Sequence, residues 1–198
     1  MARADEEVLA GALDYAVASA GRLGVADLGR PSACAGWTVA DALAHLTWSL
    51  RCLAASLTAG AVRDPAAAPG DLAGAAAALL AAARHARSRR SIAVDGLPLR
   101  CHQVLVVGAI EAAVHGWDVG GRSLPDDVAV ALLPELPLVL GDRRGLFAGP
   151  VALPPGRPAA ERLLAAVGRD PARTDSFSRR AVSNGETGST ERGGRGAC

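Results

Sequence analysis

Aromatic residues are scarce in this chain of 198 residues: three Trp, one Tyr and two Phe make up 3% of it. Half of the residues are nonetheless hydrophobic, and alanine and leucine supply most of that apolar content. Aromatic and β-branched residues favour strands, whereas alanine and leucine favour helices. The composition therefore predicts an all-α fold whose helices pack closely through small side chains.

Several other features are missing as well. Lysine is absent, and the 21 basic residues, all arginine, leave a net charge of only +1, which disfavours nucleic acid as a partner. No uncharged apolar run reaches about eighteen residues, and the charged start MARADEEVLAG does not resemble a signal peptide. No Cys-x-x-Cys pair is present, which excludes a zinc ribbon. We expect a cytoplasmic protein with no membrane partner.

Hydrophobic periodicity predicts a series of helices. The second of them should begin at Thr38, in a capping box with Asp41, and end at Gly60. Residues spaced alternately by four and three form an apolar seam along it, as in helical bundles: Val39, Leu43, Leu46, Leu50, Leu53 and Leu57. The other predicted segments are helices over 5–22, 72–90, 99–119, 126–140 and 157–168, and an extended connection over 91–99 with a turn at Asp95-Gly96.

Four main helices with a leucine seam predict a four-helix bundle with short additional C-terminal helices, over residues 1–171. The loops between them are long enough to leave the winding order open. Residues 62–69 are rich in Pro and Ala and are predicted to be a linker. Residues 172–198 are rich in Gly, Ser and Arg with little to bury, so we expect a disordered tail.

One carboxylate is unusual in the apolar segment VLVVGAIEAAVHGWD, residues 104–118. Glu111 is the single charged residue among its first eleven positions, and His115 follows four residues later. A buried ionised carboxylate is strongly unfavourable unless it is paired, and residues four apart share a helix face. A divalent metal would satisfy both side chains, given a third ligand from another helix. Glu/His pairs at this spacing are nevertheless common and usually carry no function.

His45, in the middle of the second predicted helix, is the candidate for that third ligand. It lies beside a lane of small residues that leaves room for a pocket: Thr38, Ala42, Ser49 and Ser56. Two imidazoles and a carboxylate suit zinc, nickel or iron and leave at least one open coordination position, as in catalytic zinc sites. The alternative is that His45 is a hydrogen-bonded core histidine without a metal.

Two other groups of residues admit more than one interpretation. The arginines that end the third predicted helix favour interaction with the helix dipole, and they are also candidates for binding an acidic substrate: Arg84, Arg87, Arg89 and Arg90. Trp37, Trp48 and Trp117 are predicted to be packing residues rather than a substrate cage.

Three segments together resemble a known family. PSACAGWTVADALAHL (31–46) resembles the P-[ST]-x-C-x-G-W-[TS]-V-x-D-[LV]-x-x-H-[LV] segment of the DinB-like superfamily, in the branch of the mycothiol-dependent maleylpyruvate isomerase N-terminal domain. EAAVHGWD (111–118) resembles the E-x-x-x-H-x-W-D segment of that branch, and LLAAVGRDP (163–171) resembles the end of related actinobacterial domains. The resemblance covers roughly residues 5–171.

The resemblance implies a DinB-like bundle that binds a divalent metal, usually zinc, through His, Glu and His. On this chain those ligands fall on His45, Glu111 and His115. Asp118 and Trp117 would then lie behind the ligands, with Asp118 accepting an imidazole N–H.

The same resemblance implies a function. Mycothiol or another low-molecular-weight thiol would react with a small electrophile, and the protein would be an isomerase or an S-transferase, as a monomer or homodimer. The alternative is a non-catalytic metal-binding bundle with a structural or partner-binding role. A fourth protein ligand, such as Asp118 or His102, would favour that alternative.

Overall fold

A computed structural model describes residues 2–60, 71–120, 122–141 and 148–173, and most of them are helical. The prediction of an all-α fold is confirmed. The predicted linker over 62–69 and the predicted tail from residue 174 onward lie outside the described residues. The four long helices are α1 (Ala2–Ala20), α2 (Val39–Ala59), α3 (Leu72–His85) and α4 (Cys101–Gly120).

The remaining elements are short. The helices α5 (Asp126–Leu132), α6 (Leu136–Leu140) and α7 (Ala159–Ala166) follow α4, and 3-10 turns cover Val25–Asp27, Leu133–Glu135 and Pro171–Arg173. The strands β1 (Ser91–Val94) and β2 (Leu97–Arg100) form an antiparallel hairpin between α3 and α4. Within the described ranges, no helix is both long enough and apolar enough to span a membrane.

Helix α2 begins and ends where its sequence predicts. The Thr38 hydroxyl accepts a hydrogen bond from the Asp41 backbone N–H at 3.1 Å, and the Asp41 carboxylate accepts one from the Thr38 N–H at 2.9 Å. This reciprocal capping box satisfies two backbone donors that the helix itself leaves unpaired. The helix ends at Gly60, whose φ of 66° lies in the left-handed region. These two ends fix the position of His45 on α2.

Two predicted helices differ from the structure. Helix α3 ends at His85 rather than residue 90, because the chain leaves the helix to enter the hairpin, where Asp95 and Gly96 form a tight turn with φ values of 50° and 81°. The single helix predicted over 126–140 is wrong. Pro134 and Pro137 lack the N–H that a continuous helix needs, and the segment breaks into α5, a 3-10 turn and α6.

The four long helices form a ring. Helix α1 packs against α3 and α4, and α2 packs against the same two helices, so α1 and α2 are diagonally opposed. At the start of α1, the Asp5 Oδ2 lies 3.1 Å from the His102 Nδ1 at the start of α4, so these two helices run parallel. The start of α2 packs against the end of α4 through Val39 and Val119, so α2 runs antiparallel to α4. The winding order that the sequence left open follows from these contacts.

Small residues allow α1 and α4 to approach closely. A Cβ placed on Gly116 would lie 3.0 Å from the Ala16 Cα, and one placed on Gly120 would lie 2.8 Å from the Ser19 Cβ. Neither neighbouring atom is the end of a flexible side chain that could move aside. Close packing through small side chains, as the composition predicted, therefore fixes the spacing of these two helices.

We expect Gly120→Ala to lower the free energy of unfolding by about 1–3 kcal/mol, because overpacking at Ser19 exceeds the gain in helix propensity. Urea denaturation followed by circular dichroism measures the change. Gly29→Ala is the matched control, since a Cβ there would meet no atom within 4 Å. Equal stability of Gly120→Ala and the wild type would show that the two helices can separate without cost.

Candidate metal centre

Helices α2 and α4 bring together three side chains that the sequence singled out. His45 comes from α2, and Glu111 and His115 come from one face of α4. Their ligand atoms all lie within 4.8 Å of one another, and among the described residues this is the one group of His, Cys, Asp or Glu with the spacing to hold a metal ion. The Nε2 atoms of His45 and His115 lie 3.5 Å and 3.6 Å from the Glu111 Oε2.

The arrangement fits a divalent metal. The Glu111 Oε2 is buried and has no hydrogen-bond partner within the part of the chain that the structure describes. An unsatisfied buried carboxylate oxygen is strongly unfavourable, and a cation between it and the two imidazoles would satisfy it. Ligand atoms about 2.0–2.1 Å from a tetrahedral zinc lie roughly 3.4 Å apart, close to the two separations here. Imidazole and carboxylate are also ligands that zinc, nickel and iron accept.

The charge state of Glu111 suits this role. Burial by itself raises the pKa of Glu111, but the His45 imidazole, the charge of His115 and the Ser49 hydroxyl together lower that pKa below its ordinary value. The carboxylate is therefore ionised near neutral pH and offers a negative ligand atom. Ser49 belongs to the lane of small residues that the sequence predicted beside His45.

Asp118 lies directly behind His115. Its Oδ2 is 2.9 Å from the His115 Nδ1, and its carboxylate is fully buried. Burial by itself raises the pKa of Asp118, but hydrogen bonds from His115 and Arg169 lower it below its ordinary value. Both carboxylate oxygens accept hydrogen bonds from these two partners, so neither oxygen is placed to act as a fourth metal ligand.

Two of the three tryptophans lie beside the candidate ligands. Trp37, on the loop before α2, makes an edge-on contact with His45 at a centroid distance of 5.1 Å and stacks on His115 at 6.4 Å. Trp48 lies 6.3 Å from His45 and is 45% exposed. These two rings were predicted to be packing residues, and the structure places them beside the candidate ligands. Trp117 is buried in the main core, which confirms its prediction as a packing residue, and its place behind the ligands stays a prediction.

Trp37 was a residue that sequence reasoning missed as part of the site. The sequence indicates a place for Trp37 in the site in one way: this residue lies eight positions before His45, within the segment that carries the family resemblance. The contact depends on the loop before α2 folding back, which the Ser32 N–H fixes by donating to the Trp37 carbonyl at 2.8 Å.

The other polar candidates lie away from this centre. The Arg84 Nε lies 3.0 Å from the Glu6 Oε1, and the Arg87 Nη2 lies 2.7 Å from the Glu6 Oε2. These two ion pairs join the end of α3 to the start of α1. The Arg87 and Arg84 guanidinium groups lower the pKa of Glu6 below its ordinary value. His102, at the same end of the bundle, lies between the Asp5 and Glu135 carboxylates. Nine residues separate it from Glu111 along α4, roughly 14 Å, so it is not a ligand of this centre.

Comparison with known families agrees with the helical fold. The family model described as "Mycothiol maleylpyruvate isomerase N-terminal domain" matches residues 9–120, a range that includes all three candidate ligands. No curated protein and no solved structure matches the chain. Since the match covers more than half of its length, the chain belongs to the mycothiol maleylpyruvate isomerase N-terminal domain family.

Proposed function

We propose that this protein binds one divalent metal ion through His45, Glu111 and His115 and uses a low-molecular-weight thiol such as mycothiol to act on a small electrophile. Zinc is the metal we expect, with nickel and iron as alternatives. The observation that carries the proposal is the buried Glu111 Oε2, which accepts no hydrogen bond from the described residues and faces the Nε2 atoms of two imidazoles. The family name supports mycothiol as the thiol.

A divalent ion bound by these residues would supply Lewis acidity and favour the ionised form of a thiol near neutral pH. In an isomerisation, the thiolate sulfur adds to an unsaturated carbon of the electrophile. The resulting single bond rotates, and elimination breaks the same C–S bond, restoring the double bond and the thiolate. In an S-transfer, the C–S bond remains and the neighbouring carbon takes up a proton.

The protein's own side chains support a small substrate at this site. The His45 side chain is 33% exposed whereas that of His115 is 7% exposed, so the group opens to solvent on the His45 side. Trp37 and Trp48 flank that opening and offer apolar ring faces to the carbon skeleton of a thiol or an electrophile. Their rings also reduce the access of water, which strengthens the electrostatic interactions inside the site.

The experiment is a turnover assay on the full chain, first stripped of metal and then reloaded with zinc. Mycothiol is offered with a panel of small electrophiles that begins with maleylpyruvate, and product formation is followed by chromatography. We expect turnover to require both metal and thiol and to be lost in Glu111→Ala, while His85→Ala, altered at an exposed histidine of α3, retains it. Metal binding without turnover on any electrophile would contradict the enzymatic proposal and favour the non-catalytic alternative.

A further inference from the structure

The segment after α7 contributes a buried arginine to the candidate metal centre. Arg169 is only 3% exposed, and it lies well outside the matched family domain. Gly168 follows the end of α7 with a φ of 81°, and the Arg169 N–H donates to the Leu164 carbonyl at 2.9 Å. This is the hydrogen-bond pattern of a Schellman motif, which turns the chain sharply at the end of a helix. The turn directs the Arg169 side chain into the protein.

The Arg169 guanidinium holds the Asp118 carboxylate with two hydrogen bonds. Its Nε donates to the Asp118 Oδ1 at 3.0 Å, and its Nη2 donates to the Oδ2 at 2.7 Å. Its Nη1 donates to the Val167 carbonyl at 3.2 Å, which fixes the guanidinium plane against the end of α7. A two-bond pair of this kind fixes the orientation of both groups, and it balances the charge of a fully buried carboxylate.

The orientation of Asp118 determines how His115 is presented. The Asp118 Oδ2 also lies 2.9 Å from the His115 Nδ1, and because an ionised carboxylate can only accept a hydrogen bond, we assign a ring proton to Nδ1. In the neutral ring, the lone pair then lies on Nε2, the atom that lies 3.6 Å from the Glu111 Oε2. Carboxylates that hold the remote nitrogen of a histidine in this way fix its tautomer and orientation toward a metal.

We infer that Arg169 is a positioning residue of the metal centre, acting on the ligand His115 through Asp118. The inference rests on the proposed function, because it requires His45, Glu111 and His115 to bind the metal. It also extends the centre beyond the matched domain, to the segment that follows α7. The two hydrogen bonds that Arg169 donates to Asp118 thus come from outside residues 9–120.

The test compares full-length wild type with Arg169→Met, Arg169→Lys and the control Arg157→Met, which removes an arginine paired with Glu161 on the same C-terminal part of the chain. Zinc affinity is measured by competition with a chromophoric chelator. The tautomer of His115 is read from long-range proton–nitrogen NMR correlations of the metal-free protein, assigned with a His115→Ala variant. Circular dichroism verifies that each variant is folded.

We expect Arg169→Met to bind zinc about 10–100-fold more weakly and to lose the single Nδ1–H tautomer of His115. Arg169→Lys, which keeps the charge without the planar fork, should lie between Arg169→Met and the wild type. Arg157→Met should match the wild type. A purely structural role of Arg169 would change the unfolding free energy without changing the tautomer.

Three results would overturn the inference. The first is a folded Arg169→Met with wild-type zinc affinity and tautomer. The second, which decides the matter if Arg169→Met does not fold, is an Arg169→Lys variant with wild-type zinc affinity. The third is a wild-type His115 that carries its proton on Nε2. If the wild type binds no zinc, the proposed function fails, and the tautomer measurement still decides whether Arg169 orients His115.

Discussion

Wild-type protein purified without a histidine tag is expected to contain about one divalent metal ion per chain, whereas Glu111→Ala and His45→Ala contain almost none. Each variant removes one of three ligands, and loss of Glu111 also removes the one negative ligand atom of the group. Loss of a ligand should weaken binding by more than the 10–100-fold that outlying partners of ligands contribute. Elemental mass spectrometry gives the metal content and identifies the metal.

A histidine substitution outside the centre provides the control for the metal-content measurement. His85→Ala alters an exposed histidine at the end of α3 and should leave the metal content unchanged. A wild-type protein that remains without metal after incubation with zinc would rule out the proposed centre. Retention of metal in His45→Ala with loss in Glu111→Ala would restrict the centre to α4 and require another group as the third ligand.

Trp117→Ala is expected to lower the free energy of unfolding by about 3–5 kcal/mol. The Trp117 side chain is 2% exposed and belongs to the main hydrophobic core. Its removal leaves a large cavity in a close-packed core, which relaxes only partly around the missing ring. Urea denaturation followed by circular dichroism measures the change.

Trp48→Ala is the matched control, since it removes the same side chain from a position that is 45% exposed. We expect a loss of about 1 kcal/mol or less there. A Trp117→Ala variant as stable as Trp48→Ala would contradict the assignment of Trp117 to the core. The pair also separates two roles, because Trp48 contacts His45 whereas Trp117 lies in the main core.

Features that depend on neighbouring residues can be predicted from the residue types alone. The capping box of Thr38 and Asp41, the stop at Gly60 and the turn at Asp95-Gly96 arise from contacts within a few positions, so their residue types predict them. Helical periodicity likewise placed Glu111 and His115 on one face of α4. Pro134 and Pro137 are local signals as well. Neither can donate a backbone hydrogen bond, so they interrupt the single helix that was predicted over 126–140.

Pairing between helices required more than local signals. Periodicity gave the seam of α2 but not its neighbours, because several winding orders bury the same apolar faces equally well. The grouping of His45 with Glu111 and His115 came from the scarcity of other candidates and from the family resemblance. The structure adds the distances between their atoms and shows a Glu111 oxygen that accepts no hydrogen bond from the described part of the chain.

The side chains that surround this centre from distant parts of the chain depend on how the helices pack. Arg169 lies 51 positions after Asp118, and no periodicity or spacing links a helix end to an arginine in a later turn. Glu6 similarly binds Arg84, 78 positions away, which assigns that arginine to the joining of α1 and α3 rather than to the centre. Trp37 contacts two imidazoles because its loop folds back over α2 and α4. Such contacts depend on the packing of whole helices, which a single sequence specifies only through the complete fold.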